Sequence, residues 1–278
     1  VLILDPHPTK EPGYRIFDEG VAGDHFVKNP DGTLFEGPVW PINAPNKPGN
    51  SVFPDFTRPA TRAWWGRQHK MFTDIGIAGI WNDMNEPAVW VPPANTMPDD
   101  VRFDHEGQPT DHAEVHNLYG MQMTRSTFEG LTALKPNERP FVLTRATFAG
   151  GQRYAWVWTG DNRAEWSSLQ QSLPMLLNFG LSGFPFIGAD VGGFSGYPSG
   201  ELFTRWLQAA AFSPFFRGHT EQATPDQEPW SFGPPYTAIN KAIVELRYRL
   251  LPQIYTVVEE ASRSGLPVMR PLMLEYPE

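Results

Sequence analysis

The sequence predicts an α/β fold, a (β/α)8 TIM barrel that is incomplete, with about six of its eight strands. Three observations lead there. Short runs that are apolar on both faces recur along the chain, VLIL, IAGIW, FVLT, AWVWTG, FPFIGA and SPFF, and such runs read as fully buried strands rather than half-exposed ones. Stretches of helical periodicity separate them, and strand alternating with helix calls for a parallel sheet. Each run also ends at or just before an ionisable residue: Asp5, Asp83, Arg145, Asp161, Asp190, and Arg217 with His219. Polar groups gathered at strand C-termini mark the active face of a barrel. An open doubly wound sheet shares that habit, but it usually places a Gly-rich phosphate turn after its first strand. VLILDPHPTK has none, and neither G-x-G-x-x-G nor a P-loop occurs.

In chain order, the first strand leads into a long connection, 6–56, rich in Pro, Gly and Asp. A helix is predicted from Thr57 to Ile75, followed by the strand that ends in Asp83. A second long connection, 88–114, precedes a helix from Val115 to Leu134. Connections of this length on a barrel's C-terminal face normally build a pocket or lid. Embedded aromatics (Phe26, Phe35, Trp40, Phe53, Phe56, Trp90, Phe103) argue that both are folded. The strands ending at Arg145 and Asp161 come next. Helices are then predicted from Ala164 to Phe179, with a kink at Pro174, from Glu201 to Phe212, and from Tyr236 to Ser264. The last of these stops at Gly265 and Pro267 as a helix C-terminus should. The expected division is a partial barrel over 1–265, then the start of a C-terminal β-domain over 266–278. Both ends fall in apolar runs, so the first two βα units are expected upstream of residue 1.

The chain has 278 residues, a net charge of −9 and no block of Lys or Arg, so an electrostatic grip on nucleic acid is not expected. No run of about 18 apolar residues predicts a membrane span. The absence of Cys excludes disulfides and thiolate zinc sites. Compartment and oligomeric state stay open.

Asp83 and Asp161 end non-adjacent strands, the fourth and sixth of a full barrel, where their side chains can face one another. Paired acids flanking a bond are what glycoside cleavage requires: one attacks or stabilises the anomeric carbon, the other protonates the leaving oxygen. A lone strand-end Asp is more often a helix cap; four in one chain, two with tryptophan nearby, favour a site. Trp81 and Trp158 precede these acids and read equally as core or as platforms for a sugar face. Arg145, Arg217 and His219 bring donors to the same rim, and Arg145 can keep a neighbouring Asp ionised. His112 and His116 in DHAEVH lack the Glu and third ligand of a zinc site. GFSGY lacks the spacing of a nucleophile elbow. No metal or organic cofactor is required.

WNDMNEP at 81–87 resembles the signature of glycoside hydrolase family 31, the α-glucosidase family. VWP at 39–41, VFPDF at 52–56, HNLYG at 116–120, LTRATFAGGQRYAWVWTGDN at 143–162, GADVGGF at 188–194 and SPFFRGH at 213–219 are similar to its other blocks, in order. The resemblance implies Asp83 as catalytic nucleophile and Asp161 as general acid/base. It implies Arg145, Trp158, Asp190 and His219 as sugar contacts in subsite −1, and Trp81, Met84, Phe194 and Trp40 as pocket walls. The DMNE form is similar to the glucosidase branch. A further sugar-binding acid, drawn by the family from the second barrel strand, has no counterpart here, nor do the flanking β-domains. Function is therefore expected of the parent protein.

The activity so implied is a retaining α-glucosidase acting on an oligosaccharide or α-glucoside through a covalent glucosyl-Asp83. Retention expects carboxyl groups ~5–5.5 Å apart, with the Asp161 pKa raised by Trp158 and a closed site. A transglucosylase or lyase of the same family stays open, as does a silent carbohydrate-binding barrel.

Overall fold

The structure, a computed structural model, describes residues 1–44, 47–222 and 224–277, and the side chains of 40–49 lie outside that description. It divides into two compact units, Val1–Ala155 and Trp156–Glu278.

The first unit is organised by three parallel strands, Leu2–Leu4 (β1), Gly79–Asn82 (β2) and Phe141–Thr144 (β3), in the order β1-β2-β3. Leu4 pairs with Asn82 and Asn82 with Thr144. The three strands therefore end level, and the next residues of each, Asp5, Asp83 and Arg145, emerge side by side. Alternation along a strand sends Ile80 one way and Trp81 and Asp83 the other. Ile80 and Val142 pack with Leu2, Leu4, Phe128 and Leu131 on the apolar side, so the opposite side is left for polar chemistry.

The helix His112–Leu134 (α1) begins at a cap in which the Asp111 side chain accepts from the Glu114 N–H at 3.3 Å. It crosses the helix Pro59–Gln68 (α2) where Gly66 meets Gly130, a contact so close that a Cβ on Gly130 would collide with the Gly66 backbone. The single helix predicted over Thr57–Ile75 is divided. His69 separates α2 from Lys70–Thr73 (α3), because its ring nitrogen Nδ1 takes the Trp65 and Gly66 carbonyls at 3.0 and 3.3 Å. Its own N–H falls back to a three-residue bond with Gly66 O.

Both long connections are folded. The first holds a helix, Arg15–Ala22, and an antiparallel pair, Glu36–Ala44 with Lys47–Val52; the second holds the short ribbon Arg102–Phe103 with Thr110–Asp111. Phe26, Phe35, Phe53, Phe56 and Phe103 are buried with Trp64, Trp65 and Tyr119 in one cluster. A fully buried side chain of this size is worth about 1.5–3 kcal/mol, which is what converts a Pro- and Gly-rich stretch into structure. Trp90, expected among them, is 57% exposed.

The second unit has two parallel strands, Trp156–Trp158 (β4) and Ile187–Gly188 (β5), with Trp158 opposite Gly188. Its helices are Trp166–Leu181 (α4), with Pro174 inside, Gly200–Ala210 (α5) and Tyr236–Ser264 (α6). Ser199 caps α5 through Leu202 N, and α6 stops at Gly265 in the left-handed region, φ 75°. The sixth expected strand, SPFF, does not form; Phe215 N donates to Ile187 O at 3.4 Å, and beyond the run Asp190 bridges with Arg217. Pro214 offers no N–H, and Arg247 of α6 binds the carbonyls of Ala211, Ser213 and Pro214 at 3.0, 2.6 and 3.0 Å. Gly188 lets that segment approach, since a Cβ there would strike the Phe215 carbonyl. Residues 266–277 hold one short helix, Leu272–Glu275, and no strand.

Candidate active site

In the first unit the level strand ends assemble a charged group. Arg145 Nε lies 3.2 Å from Asp83 Oδ1. The same guanidinium grips Glu86 at two points, Nε to Oε1 at 2.6 Å and Nη2 to Oε2 at 3.1 Å. Nη2 also donates to the Met84 sulfur at 3.0 Å. Arg145 therefore supplies the countercharge for Asp83 and is itself held by Glu86. Met84 is held at φ 52°, a left-handed conformation that costs a bulky side chain on the order of 1 kcal/mol and that tends to persist at functional positions.

Asp5, which the sequence marks as a strand-end acid without a role, belongs to this group. Its pKa is pushed up to about 7, first by burial, then by the negative charge of Asp83, against the pull of Arg145 and with a smaller push from Glu86. His7 Nε2 approaches Asp5 Oδ2 at 3.6 Å. Burial lowers the His7 pKa to about 4, so below about pH 7 a neutral imidazole faces a mostly protonated carboxyl. Trp81 is partly buried on the Asp83 side of its strand. The side chain of Trp40 lies outside the described residues.

In the second unit the fully buried Asp190 accepts from Arg217 Nε and Nη2 at 2.9 and 2.7 Å through one oxygen. The Arg217 guanidinium lies over the Trp158 ring at 4.9 Å, a cation–π contact. Phe194 and His219 meet at 5.1 Å between ring centroids. Burial, and then the Arg217 charge, push the His219 pKa down to about 4, leaving a neutral ring able to donate or accept. The expected shielding of Asp161 by Trp158 is not what this unit displays. Asp161 is exposed on the turn after β4, beyond Gly160 at φ 79°, while Trp158 is buried. The left-handed glycine swings the acid off the strand line.

The sequence-predicted residues thus fall into two groups: Asp83, Met84 and Arg145 with Trp81, and Trp158, Asp190, Phe194 and His219 with Asp161. Asp5 and Arg217, rim residues in the sequence, join these groups, and the structure adds Glu86 and, on the turn after β4, Asn162. His112 Nε2 and His116 Nδ1 hydrogen-bond each other at 3.0 Å. Among the described residues no three acids or imidazoles stand where a metal could be held.

Parallel strands alternating with helices, and carboxylates at the strand ends, define a barrel segment of the carbohydrate-active kind. The chain belongs to glycoside hydrolase family 31: residues 1–257 match the model of the Glycosyl hydrolases family 31 TIM-barrel domain. It is 50% identical to Alpha-glucosidase 2 of Bacillus thermoamyloliquefaciens over 278 residues, all of this chain and 34% of that protein. To Neutral alpha-glucosidase AB of Homo sapiens it is 44% identical, over all of this chain and 29% of that protein. Among solved structures it is similar to the glucosidase II alpha subunit bound to alpha3-Glc2, with a TM-score of 0.91 and 44% identity over 99% of this chain and 30% of that one. A Flavobacterium johnsoniae dextranase complexed with glucose gives a TM-score of 0.87 at 34% identity, over 100% of this chain and 34% of that one. The chain spans about a third of the length of the curated relatives it matches.

Proposed function

We propose that the protein carrying this chain is an α-glucosidase that releases terminal α-linked glucose from oligosaccharides with retention of configuration. The observation that carries the reading is the Asp83–Arg145–Glu86 arrangement, in which a carboxylate with its countercharge stands beside Asp5, whose pKa burial raises, at level strand ends. The names of the relatives support the substrate class: they include alpha-glucosidases and glucan 1,3-alpha-glucosidases.

In the first step Asp161, protonated, gives its proton to the glycosidic oxygen as the C1–O bond breaks. An Asp83 oxygen bonds to C1 from the opposite face, and the aglycone leaves as an alcohol. In the second, Asp161 as carboxylate takes a proton from water, whose oxygen bonds to C1 while the Asp83 ester bond breaks. Two inversions give α-glucose, and both carboxyl groups return to their starting states. Arg145, Trp158, Asp190 and His219 contact the sugar; Trp81, Met84 and Phe194 form the walls. Below about pH 7 Asp5, with its raised pKa, adds a hydroxyl-type donor beside the nucleophile.

The test uses the full-length protein with Asp83→Ala and Asp161→Ala, and follows by proton NMR the cleavage of maltitol, whose leaving group has no anomeric carbon. Wild type should release α-glucose first, and each variant should lose at least about 100-fold in rate. A variant with wild-type rate would overturn its assigned role. Initial β-glucose, a glucosylated acceptor or an unsaturated product would replace retaining hydrolysis by inversion, transfer or elimination.

A further inference from the structure

We propose that Asn162 is the positioning residue of the acid/base carboxyl, fixing the turn that carries Asp161 against the loop that carries Asp190 and Phe194. The proposal rests on Asp161 acting as the acid/base. Its starting point is a mechanical difficulty. A proton must be delivered along one line to the glycosidic oxygen, yet Asp161 sits exposed on a turn beyond the last strand residue, where the sheet does not hold it.

The neighbouring Asn162 ties that turn to the next loop. Its Oδ1 accepts from Phe194 N at 3.0 Å and its Nδ2 donates to Asp190 O at 3.2 Å. Its backbone carbonyl accepts from Phe194 N and Ser195 N at 2.9 and 3.0 Å, and its own N–H donates to Gly160 O at 3.0 Å, closing the turn. Ala164 N continues the stitching to Ser195 O at 2.9 Å. The two loops come so close that a Cβ at Gly193, φ 94°, would run into the Ala164 backbone. Of the side chains of this length, only asparagine presents an acceptor and a donor together. Aspartate would lose the bond to Asp190 O, and leucine both. The partners lie 28 to 33 residues further on, in the loop holding two of the proposed sugar contacts. Proton donor and sugar floor are thereby fixed in one frame, the condition under which placement adds to catalysis.

A merely structural Asn162 would affect every substrate alike, whereas a positioning role depends on how much acid help the leaving group needs. The experiment compares kcat/KM of Asn162→Ala with wild type in the full-length protein, on maltose and on α-glucosyl fluoride, whose fluoride departs with little protonation. The expected result is a loss of about 30-fold or more on maltose and less than about 3-fold on the fluoride. Equal losses on both, or no loss, overturn the proposal. Asp161→Ala is run alongside and should show the same selectivity more strongly. If it loses equally on both substrates, the acid/base reading itself fails and takes the proposal with it. If only Asn162→Ala lacks selectivity, the proposal alone fails. Should Asn162→Ala not fold, Asn162→Ser, whose hydroxyl is too short to span both partners, is judged by the same ratio.

Discussion

Asp5→Asn tests the electrostatics of the strand-end group most directly. Asp5 titrates at about 7 in the folded chain against an ordinary value of 3.8. The difference is about three pH units, each worth about 1.4 kcal/mol, so its proton is tied to on the order of 4 kcal/mol of folding free energy. The folded value lies above the unfolded one. Between pH 4 and 7 the native state keeps a proton the unfolded chain has released, and stability falls as pH rises across that window. It is fully present below about pH 4 and fully lost above about pH 7. His7 works in the opposite sense. Its folded pKa of about 4 lies below the ordinary 6.5, so its contribution is present above pH 6.5 and lost as pH falls through 4. The two slopes oppose each other in the wild type, and removing one exposes the other.

Asparagine keeps the shape of a protonated aspartate and cannot ionise. Asp5→Asn should therefore match wild type near pH 4 and gain on it progressively, leading by up to about 4 kcal/mol at pH 8. In a domain of this size each kcal/mol corresponds to roughly 2–4 °C. Differential scanning calorimetry of the full-length protein at pH 4.5, 6 and 8 measures the lead. A constant difference in Tm at all three values would show that Asp5 does not hold the proton and would refute the reasoning.

Two further outcomes follow from single side chains. Glu86→Gln weakens the two-point grip on Arg145 while leaving a partly exposed, neutral isostere. It should lower kcat/KM by about 10- to 100-fold through misplacement of Arg145 and Asp83, with denaturation midpoints shifted by no more than about 1 kcal/mol. Arg247→Met removes three bonds to buried carbonyls that shape the segment leading to Arg217. It should cost about 3–5 kcal/mol, read as a lowered midpoint in urea.

What the sequence made legible was whatever a short stretch specifies by itself. A run apolar on both faces that ends at a charge reads as a buried strand emerging at a rim, so the strands leading to Asp5, Asp83, Arg145, Asp161 and Asp190 were readable. Gly265 after an apolar stripe was an equally local stop signal. What failed was decided at a distance. SPFF has the pattern of the other strands, but Arg247, more than thirty residues on, binds its Ser213 and Pro214 carbonyls. His69 divides its helix through its own side chain, a choice that helical periodicity does not encode. Asp5 carried the same signal as its neighbours, yet its role depends on register: only when Leu4 pairs with Asn82 does Asp5 become the neighbour of Asp83. Asn162 had no signal at all, since an asparagine in a turn is ordinary until its partners at Asp190 and Phe194 are known. The chemistry-bearing atoms could thus be named from sequence, because reactivity is a property of residue type. The atoms that aim them could not, because aim is set by pairings between segments tens of residues apart. By this reasoning the residues that modulate the site without touching a substrate, Glu86, Asn162 and Arg247, are where relatives with the same nucleophile and acid have room to differ in rate and leaving-group preference.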